Sequence, residues 1–314
     1  MKKTAVIFPG QGAQHIGMGQ ELAEKYPEAK KVFEMADHAL GEHFSEMIFN
    51  GEEAILKRTE NTQPALLTAS LAAWKVLESQ GVKASYTAGH SLGEYSALTA
   101  SGTLSFTETV QVVRKRGQFM EEAVPEGKGT MAAILGLDRD KLEKVTKQAS
   151  EEAGVVEPAN FNCPGQIVIS GSVEGVNRAV ELAKEAGARR AMLLQVSGPF
   201  HSSLMQPAAE KMKPELAHMD VNGQSMQVIA NVTGRPVTKE NVTKALTEQI
   251  SSPVLWEDTI RYLLDQGVDT FIEAGPGKVL SGLVKKVSRQ AVTLPVYDKE
   301  TLEKAVEHLK EEEK

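Results

Sequence analysis

Five consecutive residues, Gly89-His90-Ser91-Leu92-Gly93, set a serine between two glycines. The stretch before them, Lys83–Ala88, reads as a short strand, and Leu92–Ala100 after them has the composition of a packed helix. At a strand-to-helix junction, flanking glycines let the backbone turn sharply and leave the serine oxygen exposed at the sheet edge as a nucleophile. The helix start behind it offers unpaired N–H groups and a positive dipole end, which suit a developing oxyanion. In a chain with 26 glycines the five letters alone carry little weight. The setting is what singles out Ser91.

A serine nucleophile needs a base. His15, His38, His43, His218 and His308 lie in polar or helix-face settings that suit solvated histidines. His90 projects from the other side of the turn and reads as structural. His201, in Ser197-Gly198-Pro199-Phe200-His201-Ser202-Ser203, stands between a strand and a helix. Its surroundings leave two readings open, a catalytic base and a helix-capping histidine. No His-x-x-x-His or paired-cysteine ligand set occurs, so no metal site is expected. The single cysteine, Cys163, excludes an intramolecular disulfide and fits a reducing compartment.

The elements that must position these residues fall into two textures. Residues 1–126 combine a short strand, Ala5–Phe8, with long helices, among them Gln20–Ala39 and Ala65–Glu78, the latter opened by Thr62-Gln63-Pro64. Residues 127–196 then alternate more quickly. Strand Thr130–Leu135, helix Asp138–Ala153 and strand Val155–Phe161 come first, and Pro164-Gly165 makes a turn. Strand Gln166–Ser170, helix Val173–Ala186 and strand Arg189–Val196 follow. This β-α-β-β-α-β order is that of a ferredoxin-like unit. Residues 197–314 resume the larger domain with helix Leu204–Ala217, strand Gln227–Asn231, helix Thr259–Gln266, strand Thr270–Glu273 and helix Leu280–Val287. Glu300–Lys314 reads as a solvated helix or frayed tail. The expected fold is therefore α/β: a large hydrolase-like domain with a parallel sheet and a nucleophile elbow, interrupted by a ferredoxin-like subdomain.

Bulk properties narrow the function. A net charge of −7 argues against general binding to nucleic acid or to an anionic membrane surface. Lys2 and Lys3 before Thr4–Phe8 resemble the start of a signal peptide, but the apolar run stops at Pro9-Gly10-Gln11-Gly12, too short for one. No stretch approaches a membrane span. The expectation is a soluble cytoplasmic protein.

Five motifs occur in order along the chain: Phe8-Pro9-Gly10-Gln11-Gly12-Ala13-Gln14, Gly89–Glu94, Arg116-Gly117-Gln118-Phe119-Met120, Gly198-Pro199-Phe200-His201-Ser202, and Gln249 with Pro253, Val254 and Trp256. Together they resemble the malonyl-CoA:acyl carrier protein transacylases of bacterial fatty-acid synthesis, from the first strand to about residue 287. The resemblance implies malonyl transfer from malonyl-CoA to the phosphopantetheine thiol of acyl carrier protein through an ester on Ser91, with no cofactor. It implies His201 as base, the amides of Gln11 and Leu92 as oxyanion hole, and the Gln249 main-chain carbonyl in place of a triad carboxylate. It selects Arg116 from Arg114-Lys115-Arg116 as the grip on the malonyl carboxylate. It implies malonyl selectivity at Phe200, and it places Asn160 and Asn162 on the small subdomain facing the cleft, as substrate contacts or as caps of a strand turn. The same catalytic fold occurs as the acyltransferase domain of polyketide synthases. A serine esterase or patatin-like hydrolase shares the elbow but needs a carboxylate and no Arg116. A carrier-protein binding module without catalysis would not need Ser91, Arg116 and His201 together. An acidic carrier protein calls for a local basic patch, for which Lys184, Arg189, Arg190, Lys285 and Lys286 are the candidates.

Overall fold

The computed structural model describes residues 3–312. Lys2, in the signal-like start, and Glu313 and Lys314, in the expected C-terminal tail, lie outside them. In chain order the strands are β1 (Lys3–Phe8), β2 (Tyr86–Gly89), β3 (Gly129–Leu135), β4 (Val156–Cys163), β5 (Gln166–Ser172), β6 (Arg190–Leu193), β7 (Gln227–Ala230), β8 (Arg235–Pro236), β9 (Val268–Ala274) and β10 (Val292–Val296). They form two sheets. One has the order β10-β9-β1-β2-β7-β8 and is parallel except for β8 at its edge. The other, β4-β5-β3-β6, is antiparallel throughout, with every strand drawn from residues 129–193.

The first sheet is covered on both faces, which is why β1 reads as a continuous apolar run rather than an alternating one. Its Val6 and Phe8 join the core that holds the buried helix Thr59–Ser79, while Ala5 and Ile7 pack with Trp256, Ile260, Leu263 and Leu280. All four are fully buried, and Val6, Ile7 and Phe8 each contribute about 1.5–3 kcal/mol. At the end of β9, Glu273 accepts from the amides of Leu280 (3.0 Å) and Ser281 (2.7 Å) and so anchors the start of helix Val279–Val287. The C-terminal ends of β1, β2 and β7 open on one edge of the sheet, where loops can carry a site.

The second sheet carries helices Arg139–Glu152 and Val173–Glu185, each opened by a side-chain cap. Asp138 accepts from Lys141 N (2.9 Å), and Ser172 accepts from Gly175 N (3.1 Å). Leu142, Val145, Ala149, Val176, Ala179 and Leu182 bury the apolar sides of these helices against Ala132, Ile134 and Ile169 of the sheet. The β-α-β-β-α-β order expected for this stretch is observed. A two-way backbone link ties it to the rest of the chain: Phe161 N donates to Val254 O (2.9 Å), and Val254 N donates to Ala159 O (2.8 Å). Arg139 adds a forked pair on Asp258, at 3.2 and 2.6 Å.

Several boundaries differ from the sequence reading. The single helix expected over Gln20–Ala39 is two, Gln20–Lys25 and Pro27–Leu40, because Pro27 forces Tyr26 into extended backbone (φ −127°, ψ 119°). The helix expected from Ala65 already begins at Thr59; Asn61 and Thr62 donate to Arg58 O and close a turn upstream of Pro64. Strand β2 starts only at Tyr86, and β6 ends at Leu193 rather than Val196. Strand β10, with Pro295 in its middle, is not in the sequence reading. It forms because an edge strand has one side on which a missing N–H is harmless.

Candidate active site

Ser91 follows β2 by two residues and precedes helix Leu92–Ala100. Its backbone is left-handed in φ (52°), as is that of His201 (60°); among the described residues no other non-glycine has positive φ. Such backbone is unfavourable for a residue with a Cβ and persists only where surroundings enforce it. The enforcing contacts are close. A Cβ on Gly89 would fall 1.9 Å from the Gly93 carbonyl group, and one on Gly93 would fall 2.2 Å from Phe8 O. Asn231, just past β7, fastens the turn with its side chain: Oδ1 accepts from Ser91 N (2.8 Å), and Nδ2 donates to Gly89 O (2.7 Å).

The Ser91 hydroxyl lies 2.7 Å from His201 Nε2, and His201 Nδ1 lies 2.9 Å from the Gln249 main-chain carbonyl. A carbonyl only accepts, so Nδ1 carries the proton and Nε2 presents its lone pair to the serine. Burial, reinforced by the Arg116 charge, pushes the His201 pKa down to about 3, which keeps the ring neutral and able to take a proton. Arg116, 1% exposed, donates from Nη2 to Ser91 Oγ (3.1 Å) and Gln249 Oε1 (2.8 Å), and from Nη1 to Gln63 Oε1 (2.8 Å). Its guanidinium lies 5.4 Å from the centre of the Tyr95 ring. The serine oxygen therefore gives its proton to a base and accepts from a cation. The amides of Leu92 and Gln11 face no protein acceptor among the described residues, so both can serve an oxyanion.

The acyl transferase domain model matches residues 5–311. The chain belongs to the acyl transferase family. It is 55% identical to a malonyl CoA-acyl carrier protein transacylase of Bacillus subtilis over 313 residues, 99% of each chain. A crystal structure of malonyl CoA-acyl carrier protein transacylase from Clostridium perfringens superposes with a TM-score of 0.96 at 44% identity, covering 99% of this chain and 98% of that one. A type II polyketide acyl-carrier protein in complex with its malonyl-transacylase gives 0.95 at 40%, covering 98% and 100%.

Against this acyl transferase frame, Ser91, His201, Arg116 and Gln249 form one hydrogen-bonded cluster, although 158 residues separate Ser91 from Gln249. Asn162 reaches the neighbouring residue instead: its Oδ1 lies 2.8 Å from His90 Nε2, and the His90 ring leans on Trp256 with centroids 5.6 Å apart. Burial lowers the His90 pKa, which keeps that ring neutral as well. Asn160 is buried in the link to Val254, and its side chain takes no part in the Ser91–Arg116 cluster. Gln11 is exposed three residues beyond β1, with Nε2 3.4 Å from Thr59 Oγ1. Phe200 is buried, next in the chain to His201. No group of three or more His, Cys, Asp or Glu side chains placed to hold a metal occurs among the described residues.

Three residues of the cluster carry no assigned role in the sequence reading: Asn231, Gln63 and Glu94. The Glu94 Oε2 accepts from Gln249 Nε2 (2.7 Å) and Asn231 N (3.1 Å). Asn231 had one available signal, a polar residue closing the apolar strand Gln227–Ala230 at the sheet edge where ligands bind. Glu94 closes the Gly89–Glu94 motif and Gln63 lies in the Thr62-Gln63-Pro64 helix start, but neither segment by itself gives the side chain a partner.

Proposed function

We propose that this protein transfers the malonyl group from malonyl-CoA to the phosphopantetheine thiol of acyl carrier protein, through an ester on Ser91. The observation that carries the reading is Ser91 Oγ shared between a neutral His201 and the buried Arg116. In the first half-reaction His201 Nε2 takes the Ser91 proton as Oγ attacks the thioester carbonyl. The oxyanion rests on the amides of Leu92 and Gln11. Collapse breaks the C–S bond, and His201 returns the proton to the departing CoA thiolate. The esterified oxygen is a poor acceptor, so the Arg116 Nη2–H that pointed at Oγ is released to the malonyl carboxylate alongside Nη1–H. In the second half-reaction His201 deprotonates the carrier-protein thiol, which attacks the ester and restores Ser91.

The chemistry as read uses no metal or cofactor, and its CoA thioester substrate implies the cytoplasm. We read residues 1–126 and 197–314 as the catalytic domain and 127–196 as a subdomain that walls the cleft, with Asn162 holding His90. Mass spectrometry after mixing with malonyl-CoA tests the mechanism: one malonyl adduct is expected on the parent and none on Ser91→Ala, and adding carrier protein should discharge the adduct. An adduct on Ser91→Ala would overturn it. A second reading, with a polyketide carrier protein as acceptor, is favoured by the likeness to the transacylase of the polyketide carrier-protein complex. Comparing kcat/KM for fatty-acid and polyketide carrier proteins separates the two.

A further inference from the structure

Arg116 is a buried cation with no carboxylate in ion-pair contact among the described residues. All three of its acceptors, Gln63, Ser91 and Gln249, are neutral. A charge held away from water needs a balancing one. The hydrogen bonds lead to it through a single amide: Arg116 Nη2 donates to Gln249 Oε1 (2.8 Å), and Gln249 Nε2 donates to Glu94 Oε2 (2.7 Å). We propose that Glu94 is the standing counter-charge of Arg116 in the empty site, and that it takes up a proton from solvent when the malonyl carboxylate becomes Arg116's partner. The inference rests on the reading of Arg116 as the malonyl clamp.

The geometry of the carboxyl suits this role. Oε2 accepts both available hydrogen bonds, from Gln249 and from the Asn231 amide, whereas Oε1 is buried without a donor. A proton can therefore settle on Oε1 without breaking anything. The charged and titratable groups that bear on Glu94 are few. Arg116 comes from helix Phe106–Glu122, Tyr95 is the next residue on its own helix, and the neutral His201 stands across Gln249. From the end of β7 comes only the uncharged Asn231, from helix Val242–Gln249 only Gln249, and from helix Thr59–Ser79 only Gln63, which reaches Arg116. Burial raises the carboxyl pKa to about 7, so a modest change in the local field tips it.

The charge balance then closes in both states. Above about pH 7 the empty site holds a guanidinium and a carboxylate. Loaded, it holds a guanidinium, the malonyl carboxylate and a neutral carboxylic acid. An uncharged acyl group leaves Glu94 ionised. Above neutral pH, malonyl loading should weaken by up to about tenfold per pH unit, and acetyl loading should not.

The test is a proton count. Wild-type enzyme is mixed with malonyl-CoA or acetyl-CoA in weak buffer containing an indicator dye, and the ester on Ser91 is quantified by mass spectrometry in the same samples. Acetyl-CoA releases the same thiol and cancels its ionisation. At about pH 8, malonyl loading should absorb up to one proton more per ester than acetyl loading, and the difference should vanish in Glu94→Gln. Equal proton counts with the malonyl ester present would overturn the inference and leave the transferase reading standing, as would a difference that survives in Glu94→Gln. Absence of a malonyl ester would overturn both. Should Glu94→Gln not fold, the wild-type comparison decides alone.

Discussion

A hydroxyl that donates to a neutral imidazole and accepts from a guanidinium is polarised from both sides, and each partner makes a separate forecast. Because the His201 pKa lies at about 3, the base stays unprotonated through the range in which an ordinary histidine charges. Single-turnover acylation at saturating malonyl-CoA should change less than about twofold between pH 7.5 and 5.5, where a base of pKa 6.5 would lose about tenfold. The depressed pKa also ties His201 to stability: its contribution is full above the unfolded value of 6.5 and drains as pH falls toward about 3. Arg116→Ala should lower malonyl kcat/KM by the equivalent of about 2–5 kcal/mol while sparing acetyl transfer, since only malonyl brings a carboxylate into the cleft. An equal fall for both substrates would make Arg116 structural. Ser91→Gly should abolish the adduct and raise the unfolding free energy by about 1 kcal/mol, because glycine adopts the positive φ without strain. Unchanged or lower stability in thermal unfolding would mean the turn stores no strain at the serine.

At the scale of elements, β1, β2 and helix Leu92–Ala100 meet so closely that two glycines act as spacers. Gly93→Ala would drive a methyl into Phe8 O, and a loss of about 3 kcal/mol or more is expected in chemical denaturation, together with loss of acylation. Gly282 is the counter-example. It sits inside helix Val279–Val287 with open space where a Cβ would go, so Gly282→Ala should raise stability by up to about 1 kcal/mol and leave activity alone. The same contrast explains what the sequence disclosed. The small antiparallel sheet was legible because its strands and helices alternate locally and its helices carry their own caps. The elbow was legible because glycine spacing is a local demand, and Arg116, His201 and Gln249 were legible through their motifs. Asn231 was not, because what brings it to Ser91 is the pairing of β2 with β7, and strand order leaves no mark in local spacing. Glu94 stands in the elbow motif, but its role comes from Gln249 on a distant helix. Strand β10 was hidden by Pro295, whose tolerance depends on being at an edge that only the finished sheet defines.

Over the whole molecule the balance of charge is negative, yet Arg189, Lys285, Lys286 and Arg289 line one cavity of about 380 Å³ beside the Cys163–Gln166 turn. Three of these are among the basic residues singled out in the sequence; Arg289 is an addition, and Lys184 and Arg190 do not line the cavity. The turn follows Asn162, whose side chain meets His90, the residue before Ser91. An acidic carrier protein would be steered here at short range against the overall repulsion. Arg189→Glu with Lys286→Glu should raise the KM for carrier protein and reduce its dependence on salt, with acylation by malonyl-CoA little changed; unaltered carrier-protein kinetics would place docking elsewhere. The sheet order has a different consequence, for the chain's birth on the ribosome. Strand β1 is made before every other strand of its sheet, and β2 can cover one of its edges early. The other edge waits for β9, about 180 residues later, or roughly 10–40 s of synthesis. Throughout that interval the nascent chain carries an apolar strand with an open side, and shielding it falls to whatever meets the polypeptide as it emerges.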